Sequence, residues 1–298
     1  MKANRRVLMV SLLVYVSIMI TSCDKVDGPY SDVTGGGFDT TDTGADSTDT
    51  ISGTIYDTIR NVLIEDYTGH KCQGCPAAHD EAHSVQLVYG KRLSIIALHV
   101  GFWANTNISG TFTYDFETQT GLDLYAALVP SSQPFPTGTI NRKLYGALRV
   151  VDYPQWGSKV SDLMTQSCDA SMKVSTSYNE TTREISATVK TTFLHALSGD
   201  YALAIYYTED SIVNWQAFPT TAGGNVADYV HRHVLRGALT PSFGTVIATN
   251  PTVAQQEIRS ITGTPIAADI NTDHVHVVAV LTNTATKEIV QVEETELK

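Results

Sequence analysis

The stretch TGHKCQGCPAAHDEAH, residues 68–83, sets two thiols three positions apart among three histidines in a chain that has only four cysteines. Three chemistries fit those residue types. In a working dithiol, a cysteine at a helix N-terminus has its thiolate stabilised by the unpaired N–H groups and the positive end of the helix dipole. That reading makes Cys72 the attacking sulfur and Cys75, one turn later, the one that resolves the mixed disulfide. In a metal site, His70, Cys72, Cys75 and His79 offer two thiolates and two imidazoles, a set suited to zinc or copper(I). In a permanent staple, the bridge closes a loop too short to constrain the unfolded chain much. Pro76, Ala77 and Ala78 read as a helix start directly after Cys75, and this position makes the dithiol the leading expectation. His79 and His83 are four apart and share a helix face, where Asp80 and Glu81 beside them suggest solvated residues rather than ligands. No metal ligand is assigned and no cofactor is called for.

The elements around the pair decide how it is held. Val62-Leu63-Ile64 is a short buried-strand signal, Ala77 to Tyr89 has helical spacing, and Leu93 to Val100 is a second apolar run. A polar, Thr-rich excursion spans Thr106 to Thr120. Leu122 to Val129 and Gln155 to Thr165 read as further helices, with Pro134-Phe-Pro-Thr-Gly-Thr-Ile-Asn141 between them. Strand, helix, strand, helix, strand in this order argues for an α/β layer over residues 60–168. From Cys168 the period becomes two. Met172, Val174, Thr176 and Tyr178, then Ile185, Ala187, Val189, Thr191 and Phe193, then Tyr201, Leu203, Ile205 and Tyr207 alternate with their neighbours. Val275 to Leu281 and Ile289 to Val292 flank a closing turn. Alternation with turns between is the signature of an antiparallel β-sandwich, expected over residues 169–298. Cys168, at the junction, reads as a buried small hydrophobe.

The first segment resembles a thioredoxin-like domain. Its Cys-x-x-Cys stands at a strand-to-helix junction, and Phe135-Pro136-Thr137 is similar to the cis-proline segment that such domains place against the dithiol. The resemblance implies that Pro136 presents backbone beside the sulfurs. Two features depart from it: Lys71 stands where thioredoxin has a tryptophan, and no buried carboxylate stands out as proton acceptor. Pro136 lies sixty-one positions after Cys75, further than a minimal thioredoxin needs, with the excursion near residues 102–120 as the insertion.

The leader carries a different message. Lys2, Arg5 and Arg6 precede an apolar run from Val7 to Ile20, too short to span a bilayer and suited to an export signal. Ile20-Thr21-Ser22-Cys23 resembles a bacterial lipobox. This implies cleavage after residue 22, a diacylglycerol on the Cys23 sulfur and an acyl chain on its amine, a firm anchor at ~0.8 kcal/mol per buried methylene. Residues 24–59 hold eight aspartates and one lysine. Such a segment cannot bury enough apolar surface to offset its ordering entropy, so residues 23–59 read as a lipidated tether with a span of roughly 30–35 Å. The whole chain carries 20 basic against 31 acidic residues. Losing residues 1–22 removes three basic residues and no acids, which leaves 17 against 31 and a formal charge of −14. Nucleic acid is therefore excluded as a partner.

Asp228-Tyr-Val-His-Arg-His-Val-Leu-Arg-Gly237 is the most specific pattern. Together with Asp66 to His79, Phe135-Pro-Thr-Gly138 and Glu288-Ile-Val-Gln-Val-Glu-Glu294, it resembles the lipoprotein family named for a 28-kilodalton outer membrane protein of Bacteroidetes. The resemblance implies a lipid-anchored protein of the outer membrane, with a thioredoxin-like domain followed by a β-sandwich. Two functions follow as expectations. One is thiol-disulfide exchange on envelope or surface proteins through Cys72, Cys75 and Pro136; the other is binding of a protein ligand by the sandwich, with the cysteine pair structural.

Overall fold

A computed structural model describes residues 48–51, 54–219 and 224–298. The expected signal, residues 1–22, the expected lipid-bearing Cys23 and most of the expected tether lie outside the described residues. Strands β1 (Thr48–Ile51) and β2 (Thr54–Asp57) pair antiparallel. The chain then enters β3 (Val62–Thr68), α1 (Cys75–Tyr89) and β4 (Leu93–His99). Every residue of β3 and β4 is buried, as expected where helices or strands cover both faces of a sheet. The two strands are parallel, joined by the α1 crossover. After α2 (Gln119–Leu128), β5 (Thr137–Ile140) returns antiparallel to β3, β6 (Val150–Val151) pairs with β5, and α3 (Trp156–Met164) closes the segment.

The second half is β throughout: β7 (Ala170–Asn179), β8 (Glu184–Phe193), β9 (Asp200–Glu209), β10 (Ile212–Ala217), β11 (Asn225–His231), β12 (Val234–Ala238), β13 (Thr245–Thr249), β14 (Gln256–Pro265), β15 (Val275–Asn283) and β16 (Ile289–Glu296). Strands β14, β8 and β7 form a three-stranded antiparallel sheet, and β10 with β11 forms a separate hairpin. The remaining strands make one mixed sheet in the order β16-β15-β9-β12-β4-β3-β5-β6, with β13 also on β9. The protein is thus mostly β, with mixed and antiparallel sheets arranged like a sandwich.

Period-two alternation explains the layers. On β9, Tyr201, Leu203, Ile205 and Tyr207 face the three-stranded sheet, where they meet Ile185, Val189 and Phe193. Ala204 and Tyr206 point the other way, into a cluster that also holds Leu63 and Tyr67 of β3 and Leu124 and Leu128 of α2. One sheet and one apolar cluster therefore take residues from both sides of position 168. The join is β12, which lies parallel to β4 with Val234 opposite Ala97, and Ala97 N–H donates to the His233 carbonyl. On the opposite face of β3, Val62 and Ile64 pack against Ala78, Ala82 and Val85 of α1 and Trp156, Val160 and Leu163 of α3.

A buried ion pair fastens the same region. Arg142 donates through Nε to both Glu65 carboxylate oxygens at 3.0 Å and through Nη2 to Oε1 at 2.5 Å, while Thr139 Oγ1 donates to Oε2 at 2.7 Å. Arg142 Nη2 also donates to the Tyr206 hydroxyl, 3.2 Å away on β9. Both charged side chains are at most 1% exposed.

Close approach decides one glycine. A Cβ on Gly138 would lie 2.5 Å from Trp156 Cζ2 and 2.9 Å from the Glu65 carbonyl, and Trp156 is pinned by its Nε1 bond to the Val151 carbonyl at 3.0 Å. Gly138→Ala is expected to destabilise the fold by about 1–3 kcal/mol through overpacking, read as a lower urea midpoint with unchanged slope.

Candidate functional site

The cysteine loop is built from backbone first. Thr68 ends β3, and Gly69 follows where a Cβ would strike the Trp103 carbonyl carbon at 2.4 Å, so the chain there runs flush against the segment after β4. Lys71 N–H donates to the Trp103 carbonyl at 2.9 Å, Cys72 N–H to the Gly69 carbonyl at 2.9 Å and Cys75 N–H to the Cys72 carbonyl at 3.3 Å. These bonds wind the loop into α1. Cys75 is its first residue and Pro76 occupies the first turn, where a missing N–H costs nothing.

Cys72 and Cys75 are joined by a disulfide with Cα atoms 5.4 Å apart. Cys72 is 4% exposed and Cys75 fully buried. The Phe135-Pro136 peptide is cis, and Pro136 abuts the loop, its Cδ lying 3.3 Å from where a Gly74 Cβ would stand. A cleft of about 400 Å³ opens beside the bridge, lined by Lys71, Cys72, Gln73, Gly74, Trp103 and Phe135. Trp103 thus supplies an indole near the bridge. Its neighbour Phe102 is 74% exposed.

Beneath the helix start lies a carboxyl that the sequence reading missed. Asp66 is 1% exposed, and burial holds its acidity well above the ordinary carboxylate range. A signal for it existed, since the alternation of Val62 and Ile64 toward α1 carries Asp66 to the same face. His79 corrects a second expectation: it is not a solvated helix residue. Its Nε2 lies 3.0 Å from Thr68 Oγ1 and 3.4 Å from Asp66 Oδ2, and its Nδ1 lies 2.7 Å from the Tyr229 hydroxyl. Burial, with His233 nearby, lowers its pKa to about 4. His83 is exposed, as expected.

Three other imidazoles gather around Phe116. His99 stacks on its ring at 4.5 Å, His231 lies 4.6 Å from it and His70 5.6 Å. His70 Nε2 lies 3.2 Å from the Asn105 carbonyl oxygen and His231 Nε2 lies 3.3 Å from that of Trp215. Neither ring nitrogen of His99 has a hydrogen-bond partner. Burial pushes His99 well below its usual pKa and His231 down to about 3. With His79 engaged by Tyr229, Thr68 and Asp66, and His70 turned toward Asn105, the four-residue metal set is not assembled. Among the described residues no group of three or more histidine, cysteine, aspartate or glutamate side chains is placed to hold a metal ion. Cys168 is buried and donates to the Ala170 carbonyl at 2.8 Å.

The β10–β11 hairpin reaches the cysteine loop from the second half. Gln216 Nε2 donates to the Cys72 carbonyl at 2.9 Å and Ala217 N–H to the His70 carbonyl at 2.7 Å.

The fold and site define a mostly β protein with a disulfide-bonded Cys-x-x-Cys at a strand-to-helix junction. The chain belongs to the family described as outer membrane protein Omp28, which matches residues 129–298, more than half of its length. Its place is accordingly the cell envelope, at the outer membrane. No described helix is long and apolar enough to cross a membrane. Among solved structures, HBP35 of Porphyromonas gingivalis is similar with a TM-score of 0.60 and 16% identity, over 80% of this chain and 76% of that one. A domain of the outer membrane lipoprotein Omp28 from Porphyromonas gingivalis shares 16% identity over 44% of this chain and 89% of that one, with a TM-score of 0.30. Protein AGR_C_4864 from Agrobacterium tumefaciens shares 13% identity over 80% and 94%, with a TM-score of 0.48. At these identities the HBP35 likeness is one of fold alone. No curated protein matches the chain.

Proposed function

We propose that the protein is a lipoprotein, anchored to the outer membrane through Cys23, whose thioredoxin-like segment exchanges thiols and disulfides with envelope or surface proteins. The observation that carries this reading is the Cys72–Cys75 bridge at the first turn of α1, with cis-Pro136 against the loop and a buried carboxyl, Asp66, under the helix. In the reduced protein, Cys72 thiolate attacks a substrate disulfide, forming the mixed disulfide and releasing one substrate thiolate. Cys75 then gives its proton to Asp66 and attacks Cys72 Sγ; the protein bridge forms, and the second substrate sulfur leaves with the electron pair and takes a proton from solvent. The substrate gains two electrons and the dithiol loses two. The cleft walled by Trp103 and Phe135 is where the substrate chain would lie.

A glutathione redox titration of the full-length protein in detergent, with thiol alkylation and mass readout, tests this. A potential between about −120 and −270 mV is expected, with Cys72→Ser abolishing disulfide reductase activity. A potential below about −300 mV would mark the bridge as structural. One observation favours that second reading, in which the sandwich binds a protein ligand: the family match begins at residue 129 and leaves out both cysteines. Under it, a Cys72→Ser, Cys75→Ser double variant retains ligand binding at the cell surface.

A further inference from the structure

The segment Asp228 to Gly237 carries the most specific family pattern, and the exchange reading leaves it unused. It covers the end of β11 and most of β12. Tyr229 and His231 alternate to the inside of β11, at 3% and 1% exposure. Tyr229 hydroxyl lies 2.7 Å from His79 Nδ1, and the opposite ring nitrogen faces Thr68 Oγ1 at 3.0 Å and Asp66 Oδ2 at 3.4 Å. His79 follows Cys75 by four residues on the same face of α1. A hydroxyl from the second half, an imidazole on the helix one turn after the resolving cysteine and a carboxyl on β3 therefore form one polar chain.

We infer that Tyr229 is a positioning residue for the exchange chemistry, holding the His79 ring so that its Nε2 hydrogen bonds Thr68 Oγ1 and lies beside Asp66 Oδ2, thereby setting the acidity of that carboxyl. The inference rests on the exchange reading. A phenol hydroxyl donates to an unprotonated imidazole nitrogen, and a neutral imidazole has one hydrogen, which Nδ1 as acceptor assigns to Nε2. The Nε2 hydrogen bonds Thr68 Oγ1 and its partial positive charge lies beside Asp66 Oδ2, 3.4 Å from the ring nitrogen, where it favours the ionised carboxylate and counters part of the burial that raises Asp66. Asp66 then takes the Cys75 proton more readily at neutral pH, and the sulfur so freed closes on Cys72 as described above. The other titratable groups near His79 are His99 on β4, His231 on β11, His233 in the turn before β12, and Cys75 and His83 on its own helix. Of these, His233 acts on His79 through charge.

The test is the midpoint potential of the Cys72/Cys75 couple as a function of pH, in the full-length protein and in Tyr229→Phe, which removes one oxygen and keeps the ring. The curve changes slope where Asp66 titrates with the thiols. In Tyr229→Phe that bend is expected to move up by about half to one pH unit, the effect of one hydrogen bond on a buried acid. Asp66→Asn should erase the bend. Superimposable wild-type and Tyr229→Phe curves would overturn the inference and leave Tyr229 as packing only. A wild-type potential below the exchange range would remove the exchange reading instead, while the bend still reports on Tyr229. Should Tyr229→Phe fail to fold, His79→Gln, which breaks the chain one link further in, must shift the same bend or the inference is lost.

Discussion

Arg142→Met is expected to lower the stability of this protein by about 3–5 kcal/mol, among the largest single effects in the molecule. The reason is what the substitution leaves behind. Glu65 is fully buried on the central strand β3 and takes three bonds from Arg142 and one from Thr139. Without the guanidinium, a carboxylate remains in the core with one hydroxyl for company, and the Tyr206 hydroxyl on β9 loses its Arg142 contact as well. A domain's total stability is only about 5–15 kcal/mol, so the variant should be marginal at 37 °C. The pair itself need not be stabilising relative to an apolar core, and that supplies the control. The double variant Glu65→Gln, Arg142→Met removes the charge along with its partner and should recover much of the loss. Denaturant unfolding followed by tryptophan fluorescence measures both. If the single variant lost less than about 1 kcal/mol, Glu65 would have to be reached by water or protonated in the native state.

How much of this was legible in the sequence depends on the range of the interaction. The strand at Val62, the helix ending at Tyr89, the strand from Leu93 and the alternating strands of the second half are local patterns, and the structure places each within a few residues of expectation. The apolar period reports which face is buried. It does not report what covers that face. Hence β12, which joins the two halves through one parallel contact with β4, and the β10–β11 hairpin, which bonds the Cys72 carbonyl from 144 residues away, were out of reach. The candidate site shows the same limit. Cys72, Cys75 and Pro136 stood out by residue type and spacing. Asp66 and His79 looked like polar residues at element ends, because the groups that bury and bond them arrive from β11 and from neighbouring strands.

Acidification is the second large effect. Between pH 7 and pH 5 the thermal midpoint should fall by about 10 °C, a change that salt at constant pH does not reproduce. His79, with its pKa lowered to about 4, and His231, lowered to about 3, are neutral in the folded protein at pH 5, and burial holds His99 well below its usual value. In the unfolded chain each has a pKa near 6.5 and is protonated there. The stability these groups contribute is therefore present above about pH 6.5 and is lost as pH falls through that value toward their folded pKa values, at about 2 kcal/mol each for His79 and His231 by pH 5. Groups raised in the folded protein oppose the loss, Glu209 and Glu117 among them, both raised first by burial. Asp66 is raised by burial, and His276 is raised by Glu294, 3.1 Å away, and by Asp210. Each binds a proton more readily folded than unfolded, so acid favours the fold through them, and the net change is smaller than the sum over the three imidazoles. His99 isolates the mechanism, since neither of its nitrogens has a hydrogen-bond partner to lose and its ring already stacks on Phe116. His99→Phe should cost little at pH 8 and be more favourable at pH 5 than at pH 8, flattening the pH dependence. An equal effect of His99→Phe at both pH values would mean that His99 is not the proton acceptor that opposes folding in acid.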